Sequence, residues 1–113
     1  MLTVTERTID DVTILDLNGS IRLGEEESHL REAVKNLLAA GRTKIVLNLD
    51  EVDYIDSSGI GALVYSFTTA RRHNGQLKLL NLGQRVHDVL TLTKLLSVFE
   101  AFDDEDKAVK SFA

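Results

Sequence analysis

Two periods of apolar residue alternate along the chain. Thr3 to Ile9 and Val12 to Leu17 are rich in β-branched residues and are separated by Asp10-Asp11, which predicts a hairpin. From Glu25 the spacing changes: Leu30, Ala33, Val34, Leu37 and Leu38 follow the i, i+3, i+4, i+7, i+8 template of a helix face, and Gly41 stands where a C-cap glycine is expected. Thr43 to Leu49 returns to alternation. Ile45, Leu47 and Leu49 line one face and Val46 adds apolar character to the other, the mark of a strand covered on both sides. Those three residues are expected to pack against Val34, Leu37 and Leu38.

Ile60, Leu63, Val64 and Phe67 repeat the helical template, and Asn74-Gly75 ends that helix. A short strand Gln76 to Leu82, a third helix from Gln84 to Lys94, a last strand near Val98 to Phe102 and a helix from Asp103 to Phe112 complete the order ββαβαβαβα. Strands alternating with helices predict an α/β fold, a mixed and mostly parallel sheet of about five strands covered by about four helices.

Composition narrows what such a fold does. The 113 residues, 43% of them apolar, suit one domain spanning 1–113, and with no Pro and seven dispersed Gly nothing marks a linker. Without Cys there is no disulfide framework, thiolate zinc site or cysteine nucleophile. The first residues lack a basic region followed by an apolar run, and no stretch approaches the roughly 18 apolar residues that span a bilayer, so a cytoplasmic protein is expected. Thirteen Lys and Arg against eighteen Asp and Glu give a net charge of −5, which opposes binding to phosphate backbones and so argues against a nucleic-acid partner.

The densest polar stretch is Asp50-Glu51-Val52-Asp53-Tyr54-Ile55-Asp56-Ser57-Ser58-Gly59-Ile60-Gly61, read as a loop between a buried strand and a helix. In open α/β sheets the carboxyl ends of strands gather functional groups. Ser57 or Asp56 is a natural N-cap, but a cap needs one such residue and three stand in succession. Gly59 and Gly61 each cost a helix roughly 1 kcal/mol relative to Ala, so something must approach the backbone closely there, a neighbouring element or a partner.

The segments Ile45-Val46-Leu47-Asn48-Leu49 and Asp53-Tyr54-Ile55-Asp56-Ser57-Ser58-Gly59-Ile60-Gly61-Ala62-Leu63 resemble those of the bacterial anti-sigma factor antagonists, single STAS domains. Leu92-Thr93-Lys94-Leu95 with Val98-Phe99 resembles the family's third helix and final strand. The resemblance implies a regulatory binding protein whose first hydroxyl after the Asp, here Ser57, is phosphorylated by a partner that is both serine kinase and anti-sigma factor. The unphosphorylated form would bind that kinase and free a sigma factor, and a phosphoserine phosphatase would reset it. ATP and Mg²⁺ would belong to the kinase; the chain itself would need no cofactor or metal. By position the docking residues would be Asp53, Asp56, Ser57, Ser58, Gly59, Ile60 and Gly61, flanked by the Gly19 to Gly24 loop. In that loop Gly19-Ser20-Ile21-Arg22 departs from the acidic Gly-Glu-Leu-Asp-like stretch of similar proteins, placing Ser20 and Arg22 at the acidic positions.

Enzyme readings compare poorly. A nucleophile elbow needs Gly two residues before and after its Ser, and neither Ser57 nor Ser58 has that frame. His29, His73 and His87 lack metal-ligand spacing, and Gly59-Ile60-Gly61 lacks a third glycine for a dinucleotide. Glu25-Glu26-Glu27 and Asp103-Asp104-Glu105-Asp106 read as acidic helix starts. Two alternatives to the sigma-factor reading are a STAS subunit of a lipid-transport or chemoreceptor-linked complex, and a small hydrolase using Ser57 or Ser58.

Overall fold

In a computed structural model, which describes residues 1–112, the chain forms β1 (Leu2–Ile9), β2 (Val12–Ile21), α1 (Glu25–Ala39), β3 (Lys44–Ile55), α2 (Ser57–Arg72), β4 (Gln76–Leu80) and α3 (Gly83–Leu92). A 3₁₀ turn at Leu96–Val98 leads into β5 (Ala101–Phe102) and α4 (Glu105–Lys110). The strands lie side by side in chain order, with β1 antiparallel to β2 and every later pair parallel. Crossovers of one hand between successive neighbours place α1, α2 and α3 on a single face of the sheet.

That face holds the larger core. Leu15, Leu17, Ile45, Leu47, Leu49, Leu77 and Leu79 of the strands meet Leu30, Val34, Leu37 and Leu38 of α1, Ile60 and Leu63 of α2, and Val86 and Leu90 of α3. The expected packing of the third strand on the first helix is therefore present. Val46 turns to the opposite face, where it joins Val12, Ile14 and Leu80 under Ala108 and Val109 of α4 and Phe112 just beyond it. Because α4 is only 6 residues long, the rest of that face stays polar. There Arg7 bridges Asp16 at 2.5 Å and Glu105 at 2.6 Å, tying the hairpin to α4. Asp16 in turn accepts from Asn48 Nδ2 at 2.8 Å.

Helix ends follow local chemistry. The Gly41 N–H donates to the Leu38 carbonyl and the Arg42 N–H to the Leu37 carbonyl, a Schellman closure with Gly41 at φ 81°. Asn74, at φ 60°, serves α2 the same way. Both ends match the expected stops. α3 ends at Leu92, two residues earlier than expected, with Lys94 in the left-handed position. The fourth strand ends at Leu80 and the fifth is reduced to two residues, because Leu96–Val98 winds into a turn before it.

The largest departure bears on function. β3 runs to Ile55, so Asp50 to Ile55, expected as a loop, continues the sheet beside Asn18–Ile21 of a longer β2. The pairing passes from Asp16 opposite Asn48 to Asn18 opposite Glu51, and from Gly19 opposite Val52 to Ser20 opposite Tyr54. Each step gives β3 one extra residue. These bulges keep Leu49, Val52 and Ile55 turned toward the core although they are three residues apart. The Asp50 N–H, freed by the first bulge, donates to Asn48 Oδ1 at 3.2 Å.

Candidate functional site

The second bulge delivers the chain to the start of α2. Asp56 is the N-cap, with extended backbone, and its Oδ1 accepts from the Gly59 N–H at 2.9 Å. Its Oδ2 accepts from the Leu23 N–H at 3.2 Å, while its own N–H donates to the Ile21 carbonyl at 3.3 Å. One carboxylate thus fastens the helix start to the connection between β2 and α1. With the cap supplied by Asp56, Ser57 is left exposed as the first helical residue and Ser58 half-buried as the second. Backbone N–H groups of this first turn and the positive end of the helix dipole face the same region.

The two glycines differ. A Cβ on Gly59 would lie 2.2 Å from the Ile21 carbonyl oxygen and 2.6 Å from Ile55 Cγ1, so the element that approaches this glycine is the end of β2. A Cβ on Gly61 would meet nothing within 4 Å. Ile60 is 4% exposed and packs into the core. Asp53, the extra residue of the second bulge, is exposed. Of the residues the sequence pointed to, Asp53 and Ser57 are exposed, Ser58 and Gly61 half-buried, and Gly59 and Ile60 are buried and seat the helix.

Gly19, Ser20 and Ile21 belong to β2 and not to a loop, because the bulged β3 extends far enough to pair with them. Ser20 is 3% exposed, and its hydroxyl donates to the Glu26 carboxylate at 2.8 Å. Buried in this way, it supports the site from below. Glu26 also accepts from the Arg22 N–H at 3.0 Å and pairs with the Met1 ammonium. The ammonium, then Ser20 and the Arg22 N–H, hold its carboxyl down at about 2. Gly24, without a side-chain cap, precedes α1, so Glu26 satisfies the connection instead of a cap residue. At the other acidic run Asp104 does cap α4, accepting from the Lys107 N–H at 3.1 Å.

Arg22 is exposed, its guanidinium carbon 5.4 Å from the centroid of the Tyr54 ring. Arg85, from the first turn of α3, lies 4.9 Å from the same centroid. Tyr54 and Arg85 were not among the residues singled out from sequence. Nothing local links positions on separate elements, and only an aromatic within a polar run hinted at the first. His73 closes the far end of α2, its Nδ1 against the Thr69 carbonyl, and His87 lies beside Asp88 on α3.

The family model for the STAS domain matches residues 3–108. The chain belongs to the STAS domain family. The anti-sigma-B factor antagonist of Listeria monocytogenes is 33% identical over 81 residues, 68% of this chain and 71% of that protein. A crystal structure of TM1081 from Thermotoga maritima superposes with a TM-score of 0.87 at 28% identity, covering 96% of this chain and 92% of that one. The Bacillus cell fate determinant SpoIIAA in its phosphorylated form gives a TM-score of 0.76 at 18% identity over 98% of this chain and 100% of that one, a likeness of fold alone. Several curated relatives that it matches are named anti-sigma factor antagonists, in keeping with the resemblance read from Asp53 to Leu63. Among the described residues no helix is long and apolar enough to cross a membrane.

The N-cap of this STAS domain makes its acid limb predictable. Hydrogen bonds from the Gly59 N–H, and after it Leu23, hold the Asp56 carboxyl below the usual carboxylate range. A carboxyl depressed by folding stabilises the native state above its unfolded pKa of about 4, and that contribution fades as pH falls toward the folded value. Asp56→Asn keeps a cap oxygen but does not titrate. It should therefore cost stability at neutral pH, because its amide NH₂ cannot accept from the Leu23 N–H, and lose less stability than the wild type as pH falls below about 4, measured by urea denaturation. Equal acid sensitivity of the two proteins would assign the acid limb to other carboxylates.

Proposed function

We propose that this STAS domain is a phosphorylation-controlled antagonist whose unphosphorylated form binds an anti-sigma factor serine kinase and thereby frees a sigma factor, with Ser57 as the switch. The observation that carries this reading is the division of labour at the helix start. Asp56 caps α2 and anchors it to Leu23, so the neighbouring Ser57 hydroxyl is exposed on a rigid element and is not needed for structure. On this reading Asp53, Ser58, Gly61 and Arg22, none of them buried, belong to the docking face with Ser57, Asp56 fixes that face, and the buried Gly59, Ile60 and Ser20 support it.

In the transfer step the Ser57 Oγ attacks the γ-phosphorus of ATP held with Mg²⁺ by the kinase, the hydroxyl proton passes to a base of the kinase, and ADP leaves. The antagonist supplies position and the kinase supplies chemistry. A phosphoserine phosphatase then removes the phosphate by hydrolysis. The complex assembles in the cytoplasm, where ATP is present.

Incubation with an anti-sigma factor serine kinase encoded in the same genome, with ATP and Mg²⁺, should add one phosphate to Ser57 by mass spectrometry, and none to Ser57→Ala. Ser58→Ala should still be modified. Phosphate on Ser58 or elsewhere, or no complex with any such kinase, would overturn the reading.

A further inference from the structure

The carboxyl end of β3 carries a cluster that phosphoryl transfer to Ser57 does not use. Tyr54 is 39% exposed, with the Arg22 and Arg85 guanidinium carbons 5.4 and 4.9 Å from its ring centroid. The three side chains come from the β2–α1 connection, the bulged end of β3 and the first turn of α3. Beside them Leu23 is 75% exposed, its backbone fixed by the bond to Asp56. A bulge at Asp53 re-aims the strand at this point, as bulges near functional surfaces do.

Charge separates here. The chain carries a net −5, yet its two cations at this end rest on an aromatic ring. Arg22 has one ion contact, Nε to Glu26 at 3.6 Å, and its side chain is 58% exposed. Arg85 has no ion pair among the described residues. Two of the acids on the connecting segments are engaged: Glu26 with Ser20 and the Arg22 N–H, and Asp56 with the Gly59 and Leu23 N–H groups. Glu25 of α1, Glu51 and Asp53 of β3 and Asp88 of α3 are exposed, and among the described residues none of them pairs with either guanidinium. Guanidiniums preorganised against a ring, with fork donors free, suit carboxylates, and Tyr and Arg dominate the energetics of protein interfaces.

We infer that Arg22, Tyr54 and Arg85 form the recognition surface for an acidic segment of the protein that docks beside Ser57, with Leu23 as its apolar edge. This deepens the switch reading and rests on it. It assigns the partner a feature: carboxylates facing Arg22 and Arg85.

The surface can be tested without the kinase. In ¹⁵N-labelled protein titrated with hexaglutamate at low and high salt, shifts should appear at the Leu23, Tyr54 and Arg85 amides and at the Arg22 and Arg85 Nε–H groups, and vanish at high salt. Arg22→Glu with Arg85→Glu should abolish them. Arg71→Glu, a single charge reversal over Phe67 at the other end of α2, should leave them intact. Shifts that are absent, that centre on Arg71 and Arg72, or that survive the double reversal would overturn the inference. In a second arm the kinase is the ligand, and the double reversal should weaken binding about tenfold or more while Arg71→Glu binds like the wild type. Equal affinity for the double variant would overturn this surface and leave the switch standing. A kinase that binds no form would overturn the switch, and hexaglutamate would then decide the surface alone.

Discussion

Gly59→Ala is expected to destabilise the domain by about 2 kcal/mol or more, although Ala is the better helix former by about 1 kcal/mol. The added methyl would sit 2.2 Å from the Ile21 carbonyl oxygen and 2.6 Å from Ile55 Cγ1, and neither atom is the loose end of a flexible side chain. The helix cannot simply slide outward to make room. Its first turn is tied down by the Asp56 N–H to that same Ile21 carbonyl and by Asp56 Oδ1 to the Gly59 N–H. Relief therefore requires breaking at least one of these bonds, on top of an overpacking cost of about 1 to 3 kcal/mol. For a domain whose whole stability is about 5 to 15 kcal/mol, that is a large share.

Gly61→Ala provides the contrast, since its methyl meets nothing within 4 Å and should raise stability by up to about 1 kcal/mol. Urea denaturation of the two variants decides the matter. A shared direction of shift would show that contact with Ile21 does not set the seat of α2. The sequence-based expectation that something closely approaches both glycines thus divides: β2 fills the space at Gly59, and the space at Gly61 stays open.

That division shows where the sequence speaks and where it cannot. Helix faces such as Leu30 to Leu38 and alternation such as Ile45, Leu47 and Leu49 are local periods, so α1 and the first half of β3 are legible directly. Beyond Leu49 the inward residues Val52 and Ile55 follow at intervals of three, a spacing that fits neither a flat strand nor a helix face. Bulges produce it, and bulges are specified by pairing with β2 and not by β3 alone. The end of α3 is hidden for a related reason. Lys94 occupies the left-handed position that Gly or Asn usually takes, so no residue type announces the stop.

The site divides similarly. Asp56 and Ser57 are legible because capping chemistry is local to the start of α2. Sequence could not decide which would cap, since both have the right side chain. The decision comes from Leu23, more than thirty residues earlier in the chain, whose N–H gives the Asp56 carboxylate a second donor that only the fold can supply. Tyr54 and Arg85 meet across the gap between β3 and α3, which no single segment encodes.

Ser57→Asp is expected to weaken kinase binding by about a hundredfold, with Ser57→Ala binding at least as well as the wild type but insensitive to ATP. Phosphorylation adds roughly 1.5 to 2 negative charges at the first residue of α2, beside Asp56 and close in sequence to Asp53 and Glu51. Repulsion from these neighbours is present in the free domain as well and so leaves affinity unchanged, whereas a carboxylate of the partner at ~6 Å, with an effective dielectric of ~20, repels each added charge by about 3 kcal/mol before screening. The helix N-terminus returns about 0.3 to 1 kcal/mol, and up to ~2 in a partly buried setting, so it offsets only part of this. A partner whose own carboxylates face Arg22 and Arg85 supplies this repulsion, which exists only in the complex, and closing the interface strips water from the phosphate that screened it. No rearrangement of the domain is required, because the charge acts on the interface directly. A loss of about 3 kcal/mol corresponds to more than about a hundredfold in affinity. The measurement is a titration of the kinase with wild type, Ser57→Asp and Ser57→Ala, each checked for an unchanged fold by circular dichroism. Because Asp carries one charge and a phosphate nearly two, the phosphorylated wild type should bind more weakly still. Equal affinity for the Asp and Ala variants would remove Ser57 from the switch, whatever the fate of the surface around Tyr54.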